Sequence, residues 1–177
     1  GPVVIWNLIR RCNLTCKHCY SLSADTDFKG ELSTEEVFRT MEDLRSFRVP
    51  ALILSGGEPL LRPDIFDISR RAKEMGFFTA LSSNGTLIGP GNIDAVADAG
   101  YGYVGISLDG IGATHDRFRR KEGAYDASLA ALRLCRERGW IAFIISHRTR
   151  YPFVGEQYDL REEAQRWLTS LRRPERQ

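Results

Sequence analysis

The sequence predicts an α/β domain built on a parallel sheet, and three observations support that prediction. Five short apolar runs recur along the 177 residues, each about the length of a buried strand. Amphipathic stretches with apolar residues at helical spacing lie between them. The connections are short, so strands and helices alternate as β-α units with right-handed crossovers. Such a sheet is either doubly wound or curled into a barrel or part of one, and in both cases ligands gather at the C-terminal ends of the strands.

The predicted strands are apolar throughout, as expected of parallel strands that are buried on both faces. They are, in chain order, 3–6, 51–54, 77–81, 103–106 and 141–145.

Four helices are predicted from their boundaries and their apolar faces. The first begins at a capping box, with Ser33 as N-cap and Glu36 three residues later. The second follows Pro63-Asp64 and ends before Gly76, because glycine is the preferred residue just past a helix end. The third and fourth predicted helices are 92–99 and about 126–138, the latter with Gly139 at its C-cap.

Composition and charge exclude several classes of protein. The net charge is only +2 and the basic residues are mixed with acidic ones, so no basic field favours nucleic acid or an anionic membrane as a partner. No apolar run approaches the roughly 20 residues of a membrane-spanning helix, and no signal-peptide pattern is present. We therefore expect a cytoplasmic protein.

Three of the four cysteines lie within eight residues, which favours a metal site over a disulfide framework. Cys12, Cys16 and Cys19 follow the first strand with the spacing C-x3-C-x2-C. Three thiolates do not complete a tetrahedral zinc site, whereas on a cubane iron-sulfur cluster they leave one iron open. A zinc site completed by His18 or His115 is the alternative. The fourth cysteine, in the apolar stripe of the last helix, is expected to be a small buried hydrophobe.

This spacing, with the aromatic Tyr20 after the third cysteine, resembles the signature of the radical S-adenosylmethionine (SAM) family. The resemblance implies a partial (β/α) barrel with about four to five of the expected six β/α units. It also implies a [4Fe-4S] cluster on Cys12, Cys16 and Cys19 whose open iron binds SAM, and reductive cleavage of SAM to a 5'-deoxyadenosyl radical. The electron is expected from an external donor of the flavodoxin or ferredoxin type. No side chain is identified as a catalytic acid or base.

Short polar segments after later strands match further motifs of that family. Paired glycines after the second strand can bring backbone close to a ligand, and a carboxylate there can accept protons from an ammonium group. By resemblance the SAM contacts are Gly56, Gly57 and Glu58 at the methionyl amine, Ser83 and Asn84 nearby, Ser107 and Asp109 at the ribose and carboxylate, Arg119 at the carboxylate, and His18 and Tyr20 beside the cofactor. Taken singly, these segments are also typical of ordinary turns and solvated surface.

Several stretches between residues 3 and 139 resemble the NirJ-type haem d1 biosynthesis branch of the family. That likeness implies an iron tetrapyrrole substrate, derived from sirohaem, from which propionate side chains are removed. A peptide-maturing radical SAM enzyme is the alternative, and a cluster- or zinc-binding module without turnover is the non-enzyme alternative. We expect residues 1–139 to form the radical SAM core and 140–177 to be a divergent segment that does not match the family, as a frameshift or partial gene near Gly139 would produce.

Overall fold

In the part of the chain that the structure describes, five parallel strands form one sheet in chain order. The computed structural model describes residues 1–138 and, for the backbone, 142–145. The strands are β1 (Val3–Ile9), β2 (Ala51–Gly56), β3 (Phe78–Ser83), β4 (Tyr103–Ser107) and β5 (Ala142–Ile145), and each pairs with the next. The strand order never reverses, so right-handed crossovers place successive helices on one side of the sheet. This resolves the choice left open by the sequence: the fold is a partial (β/α) barrel, as predicted, and not a doubly wound sheet.

Five α-helices accompany the strands in residues 1–138, and four of them were predicted. They are α1 (Thr34–Ser46), α2 (Ile65–Glu74), α3 (Ile93–Asp98), α4 (Ala113–Arg119) and α5 (Ala124–Glu137). The capping box of α1 is confirmed, because the Ser33 hydroxyl accepts from the Glu36 amide and the Glu36 carboxylate accepts from the Ser33 amide. Helix α4 was not predicted, and α5 begins two residues earlier than expected. The expected C-cap of α5 at Gly139 lies outside the described residues, as does the segment 140–177 apart from the backbone of β5.

The two faces of the sheet differ in how they are covered. Leu8, Leu52 and Leu54 point to the side on which Val37 and Met41 of α1 and several residues of α2 form the buried core. Because side chains alternate along a strand, the intervening residues face the opposite side. On that face Val3 is 58% and Ile5 is 65% exposed, so the concave side of the curled sheet is open at β1.

One buried arginine joins the start of the fold to α2. Arg62 donates to the carbonyl oxygens of Leu8 and Leu32 at 3.0 and 2.9 Å, and it forms a two-pronged ion pair with Asp64 at 2.7 and 3.0 Å. Thr34 also donates to Asp64, at 2.6 Å. These contacts fix the C-terminal end of β1 relative to the two helices beside it.

Among the described residues, no helix has the length and hydropathy needed to cross a membrane.

Candidate functional site

The cysteine loop, residues 12–19, follows β1 and is hydrogen-bonded to two other parts of the fold. Its start is held by β2, because the amides of Gly57 and Glu58 donate to the carbonyl oxygens of Ile9 and Arg11 at 2.7 and 2.9 Å. Its far side is held by α4, because the amide of Lys17 donates to the carbonyl oxygen of Phe118 at 2.9 Å. The loop therefore sits at the C-terminal ends of the strands, where the sequence predicted the site.

Each of the three loop thiols receives hydrogen bonds from a different partner. Asn84 Nδ2 lies 3.8 Å from Cys12 Sγ, and Arg119 Nη1 lies 3.7 Å from Cys16 Sγ. Cys19 Sγ lies 3.3 Å from the hydroxyl of Ser21 and accepts from a backbone amide at 3.5 Å. Donors aimed at sulfur stabilise the thiolate form, which is the form that binds iron.

The surroundings of the three thiols shift their pKa values in different directions. Burial raises the pKa of Cys12 to about 11. Burial also raises the pKa of Cys16, although the charge of Arg119 opposes that change. At Cys19 burial acts in the same direction, but hydrogen bonds from Ser21 and Ser23 outweigh it and the pKa is lowered.

Among residues 1–138, no three His, Cys, Asp or Glu side chains lie close enough together to hold a metal ion. The assignment of Cys12, Cys16 and Cys19 as iron ligands therefore rests on their spacing, their shared loop and their sulfur-directed donors. Cys135 is fully buried in α5, away from the loop in sequence and on an apolar helix face.

The paired glycines after β2 allow the cysteine loop to approach. A Cβ atom on Gly56 would lie 2.2 Å from the carbonyl oxygen of Ile9, and one on Gly57 would lie 2.3 Å from that of Arg11. Gly56 also has a φ of +143°, a conformation that favours glycine. The backbone that comes close to these glycines is the chain's own, between β1 and Cys12.

Glu58 is completely buried, and both of its carboxylate oxygens accept hydrogen bonds within the fold. Oε1 accepts from the amide of Leu60 at 3.2 Å and from the hydroxyl of Ser83 at 2.9 Å. Oε2 accepts from the amide of Asn84 at 2.8 Å. Burial raises the pKa of Glu58, against the effect of these donors. Glu58 thus joins the end of β2 to the end of β3.

Asn84 extends this network to the cysteine loop. Its Nδ2 donates to Asn13 Oδ1 at 3.0 Å as well as towards Cys12, while its Oδ1 accepts from the amide and hydroxyl of Thr86. Its carbonyl oxygen accepts from Ser128 of α5 at 2.8 Å. Sequence analysis missed Asn13, Thr86 and Ser128, because only the folded chain brings them to Asn84.

A second buried cluster lies on the other side of the loop. Arg119 Nε forms an ion pair with Asp109 Oδ2 at 2.6 Å, and His18 Nε2 lies 3.3 Å from the same oxygen. The amide of Asp109 donates to Nδ1 of His115 at 3.1 Å. Burial, and then the charge of Arg119, lowers the pKa of His115 to about 4, so this imidazole is neutral at physiological pH. His115 Nδ1 is thereby occupied as an acceptor, which removes one of its two nitrogens as a metal ligand.

The structure brings together most of the residues that sequence analysis selected. Glu58, Ser83 and Asn84 form one network and His18, Asp109 and Arg119 form another, with the cysteine loop between them. Ser107 is the last residue of β4. Tyr20 lies apart from both networks, since it is 68% exposed and its hydroxyl donates to Asn7 of β1 at 3.1 Å.

The sequence profile of the radical SAM superfamily matches residues 6–168. The chain belongs to the radical SAM superfamily. Proteins of this superfamily bind a [4Fe-4S] cluster and SAM.

Curated relatives within the superfamily include enzymes of haem biosynthesis. The pre-heme d1 synthase of Dinoroseobacter shibae is 58% identical over 138 residues, which are 78% of this chain and 34% of that protein. The Fe-coproporphyrin III synthase of Methanosarcina barkeri is 47% identical over 138 residues, which are 78% of this chain and 35% of that protein. The chain therefore spans about a third of the length of these relatives.

Solved structures of radical SAM enzymes share the fold. The structure of anSMEcpe with bound AdoMet superposes with a TM-score of 0.65 at 20% sequence identity, covering 79% of this chain and 42% of that one. At this identity the likeness supports the partial barrel.

Proposed function

We propose that this chain is part of a radical SAM enzyme of haem d1 biosynthesis that removes propionate side chains from a sirohaem-derived iron tetrapyrrole. The observation that carries the proposal is the 58% identity to a pre-heme d1 synthase over 138 residues, which are 78% of this chain. When bound, the reduced [4Fe-4S] cluster and SAM supply a 5'-deoxyadenosyl radical. The electron comes from a flavodoxin- or ferredoxin-type donor.

The chemistry of the loop fits an iron-sulfur cluster. Cys12, Cys16 and Cys19 are three sulfur ligands on one loop, and each already faces a hydrogen-bond donor. Hydrogen bonds to ligand sulfurs are typical of protein-bound clusters. Three cysteines leave the fourth iron without a thiolate, which is the position that SAM takes in this proposal.

Two buried atoms fit the polar ends of SAM. Arg119 Nη2 and Asp109 Oδ1 have no hydrogen-bond partner among the residues that the structure describes, although each side chain is more than nine-tenths buried. Because a buried donor or acceptor left unpaired is costly, such atoms suit a ligand that completes them. A guanidinium matches the SAM carboxylate, and a carboxylate oxygen matches a ribose hydroxyl.

The remaining SAM contacts are assigned by their position around these atoms. Gly56, Gly57, Ser83, Asn84 and Ser107 lie at the C-terminal ends of β2, β3 and β4, on the side of the sheet where the cysteine loop begins. Glu58 and His18 belong to the two networks and complete this set, whereas Tyr20 is proposed from its place directly after Cys19 in the sequence. Glu58 holds the ends of two strands in place, so its contribution to SAM binding is chiefly to position its neighbours.

The test is incubation of the reconstituted enzyme that contains this chain with SAM, dithionite and a sirohaem-derived iron tetrapyrrole that carries propionate groups. The proposal predicts 5'-deoxyadenosine together with a tetrapyrrole of lower mass, detected by mass spectrometry. Formation of 5'-deoxyadenosine without any change in the tetrapyrrole would refute the haem d1 assignment. It would still support radical cleavage of SAM. Turnover that depends on an added precursor peptide would identify a peptide-maturing enzyme instead.

A further inference from the structure

Arg119 lies between an acidic side chain and a cysteine of the loop. Its Nε is 2.6 Å from Asp109 Oδ2, and its Nη1 is 3.7 Å from Cys16 Sγ. Arg119 is only 7% exposed, and the Asp109 side chain is 4% exposed. The guanidinium therefore acts on Cys16 in surroundings where water screens its charge little.

Two hydrogen bonds hold this arrangement, one on each side. The amide of Lys17, next to Cys16, donates to the carbonyl oxygen of Phe118, next to Arg119. On the other side, the amide of Asp109 donates to His115, which belongs to the same helix as Arg119. The loop and Asp109 are thus both hydrogen-bonded to α4, the helix that carries Arg119.

We propose that Arg119 raises the reduction potential of the cluster through Cys16, with Asp109 as the residue that positions it. This proposal rests on the proposed function, since it requires the cluster. One-electron reduction of [4Fe-4S]2+ to [4Fe-4S]+ adds negative charge that is shared with the ligand sulfurs. A cationic donor at Cys16 Sγ stabilises the more negative state, so it favours reduction.

The contact at Cys16 differs from the one at Cys12. Cys12 faces the neutral amide of Asn84, whereas Cys16 faces a permanent positive charge. Hydrogen bonds from a charged donor are roughly twice as strong as neutral ones. The charged donor therefore lies at Cys16, and the sulfur of Cys12 faces a neutral one.

The experiment is a potentiometric titration of the reconstituted chain without SAM, followed by EPR, in Arg119→Gln and in the control Arg133→Gln. Arg133 is an exposed arginine of α5, so its loss removes the same charge at a distance from the loop. We expect Arg119→Gln to lower the equilibrium constant for reduction by about tenfold or more, which is about 59 mV for one electron. Arg133→Gln should change this equilibrium constant by less than about twofold. Arg119→Lys keeps the positive charge but loses the planar guanidinium. The shift in its reduction potential should lie between those of Arg119→Gln and Arg133→Gln.

The possible results separate the two proposals. Equal potentials in Arg119→Gln and Arg133→Gln, at equal iron and sulfide content, overturn the tuning role. Loss of the cluster in both Arg119→Gln and Arg119→Lys also overturns it, because Arg119 then acts in cluster assembly. If the unaltered chain takes up no cluster, the proposed function itself fails.

Discussion

Glu58→Gln is the substitution that best separates a structural role from a ligand-binding one. Glu58 is 0% exposed, and its two oxygens accept three hydrogen bonds from Leu60, Ser83 and Asn84. Glutamine has almost the same shape but only one acceptor oxygen. Either orientation of the amide therefore turns an NH2 group towards a donor that Glu58 now satisfies.

The expected cost follows from the donor that is left unpaired. When the amide oxygen keeps Leu60 and Ser83, the amide of Asn84 loses its partner in a buried position. An unsatisfied buried donor costs about 1–3 kcal/mol. For a chain of this size that loss of stability lowers the melting temperature by about 2–12 °C. The hydrogen bonds from Asn84 to Asn13 and towards Cys12 should loosen with it.

The assay is thermal unfolding of the metal-free chain, followed by circular dichroism, with Glu137→Gln as the matched control. Glu137 is exposed at the end of α5, so its substitution should change stability by no more than about 0.5 kcal/mol. Equal melting temperatures for the two variants, together with weaker SAM binding by Glu58→Gln alone, would refute this reasoning. That result would show that the carboxylate is kept for the ligand.

Two further substitutions test the contacts around the site. Gly57→Ala should destabilise the chain by about 1–3 kcal/mol and reduce iron uptake, because the new methyl group meets the carbonyl oxygen of Arg11. The control is Gly89→Ala. Because there is open space around Gly89, this substitution should change neither the stability nor the iron uptake. Asp64→Asn should cost about 1–3 kcal/mol in urea unfolding at pH 7. Hydrogen bonds from Arg62 and Thr34 outweigh burial and lower the pKa of Asp64 below its usual 3.8, so this penalty should shrink as the pH falls below that value. A penalty that grows in acid would contradict this sign.

The sequence predicted the parts of the fold that depend on local pattern. The capping box at Ser33 and Glu36 is a short-range signal, and it placed the start of α1 correctly. The apolar runs located all five strands, although the sheet continues past the run in β1 to Ile9 and in β2 to Gly56. The rule that ligands gather at the C-terminal ends of parallel strands predicted that the cysteine loop and the later motifs lie at the same edge of the sheet, and the contacts of the loop with Asn84 and Arg119 agree with it.

Helix α4 was missed because it lacks the usual signals of a helix. It has only seven residues, begins after Gly112 without a side-chain cap, and carries charged residues around its surface. Its stability comes from tertiary contacts of His115 and Arg119, which are buried against Asp109 and the cysteine loop. Those partners cannot be identified from a local pattern.

The role of the glycine pair and of Glu58 also required the folded chain. A Gly-Gly-Glu segment after a strand predicts that something approaches the glycine backbone closely. The segment alone does not show whether that is a ligand or another part of the chain. Here the approaching backbone is that of Ile9 and Arg11, and two of the three donors to Glu58 lie 25 and 26 residues further along the chain. The contacts of SAM itself stay predictions.

The central claim is that the cysteine loop holds a [4Fe-4S] cluster to which SAM binds, and EPR tests it most directly. The chain, Cys12→Ala and the control Cys135→Ala are reconstituted anaerobically with iron and sulfide, reduced, and measured with and without SAM. We predict a cubane signal that SAM alters, that is retained in Cys135→Ala and that is lost in Cys12→Ala. Bound zinc without a cluster, or a cluster signal that persists in Cys12→Ala, would contradict the account.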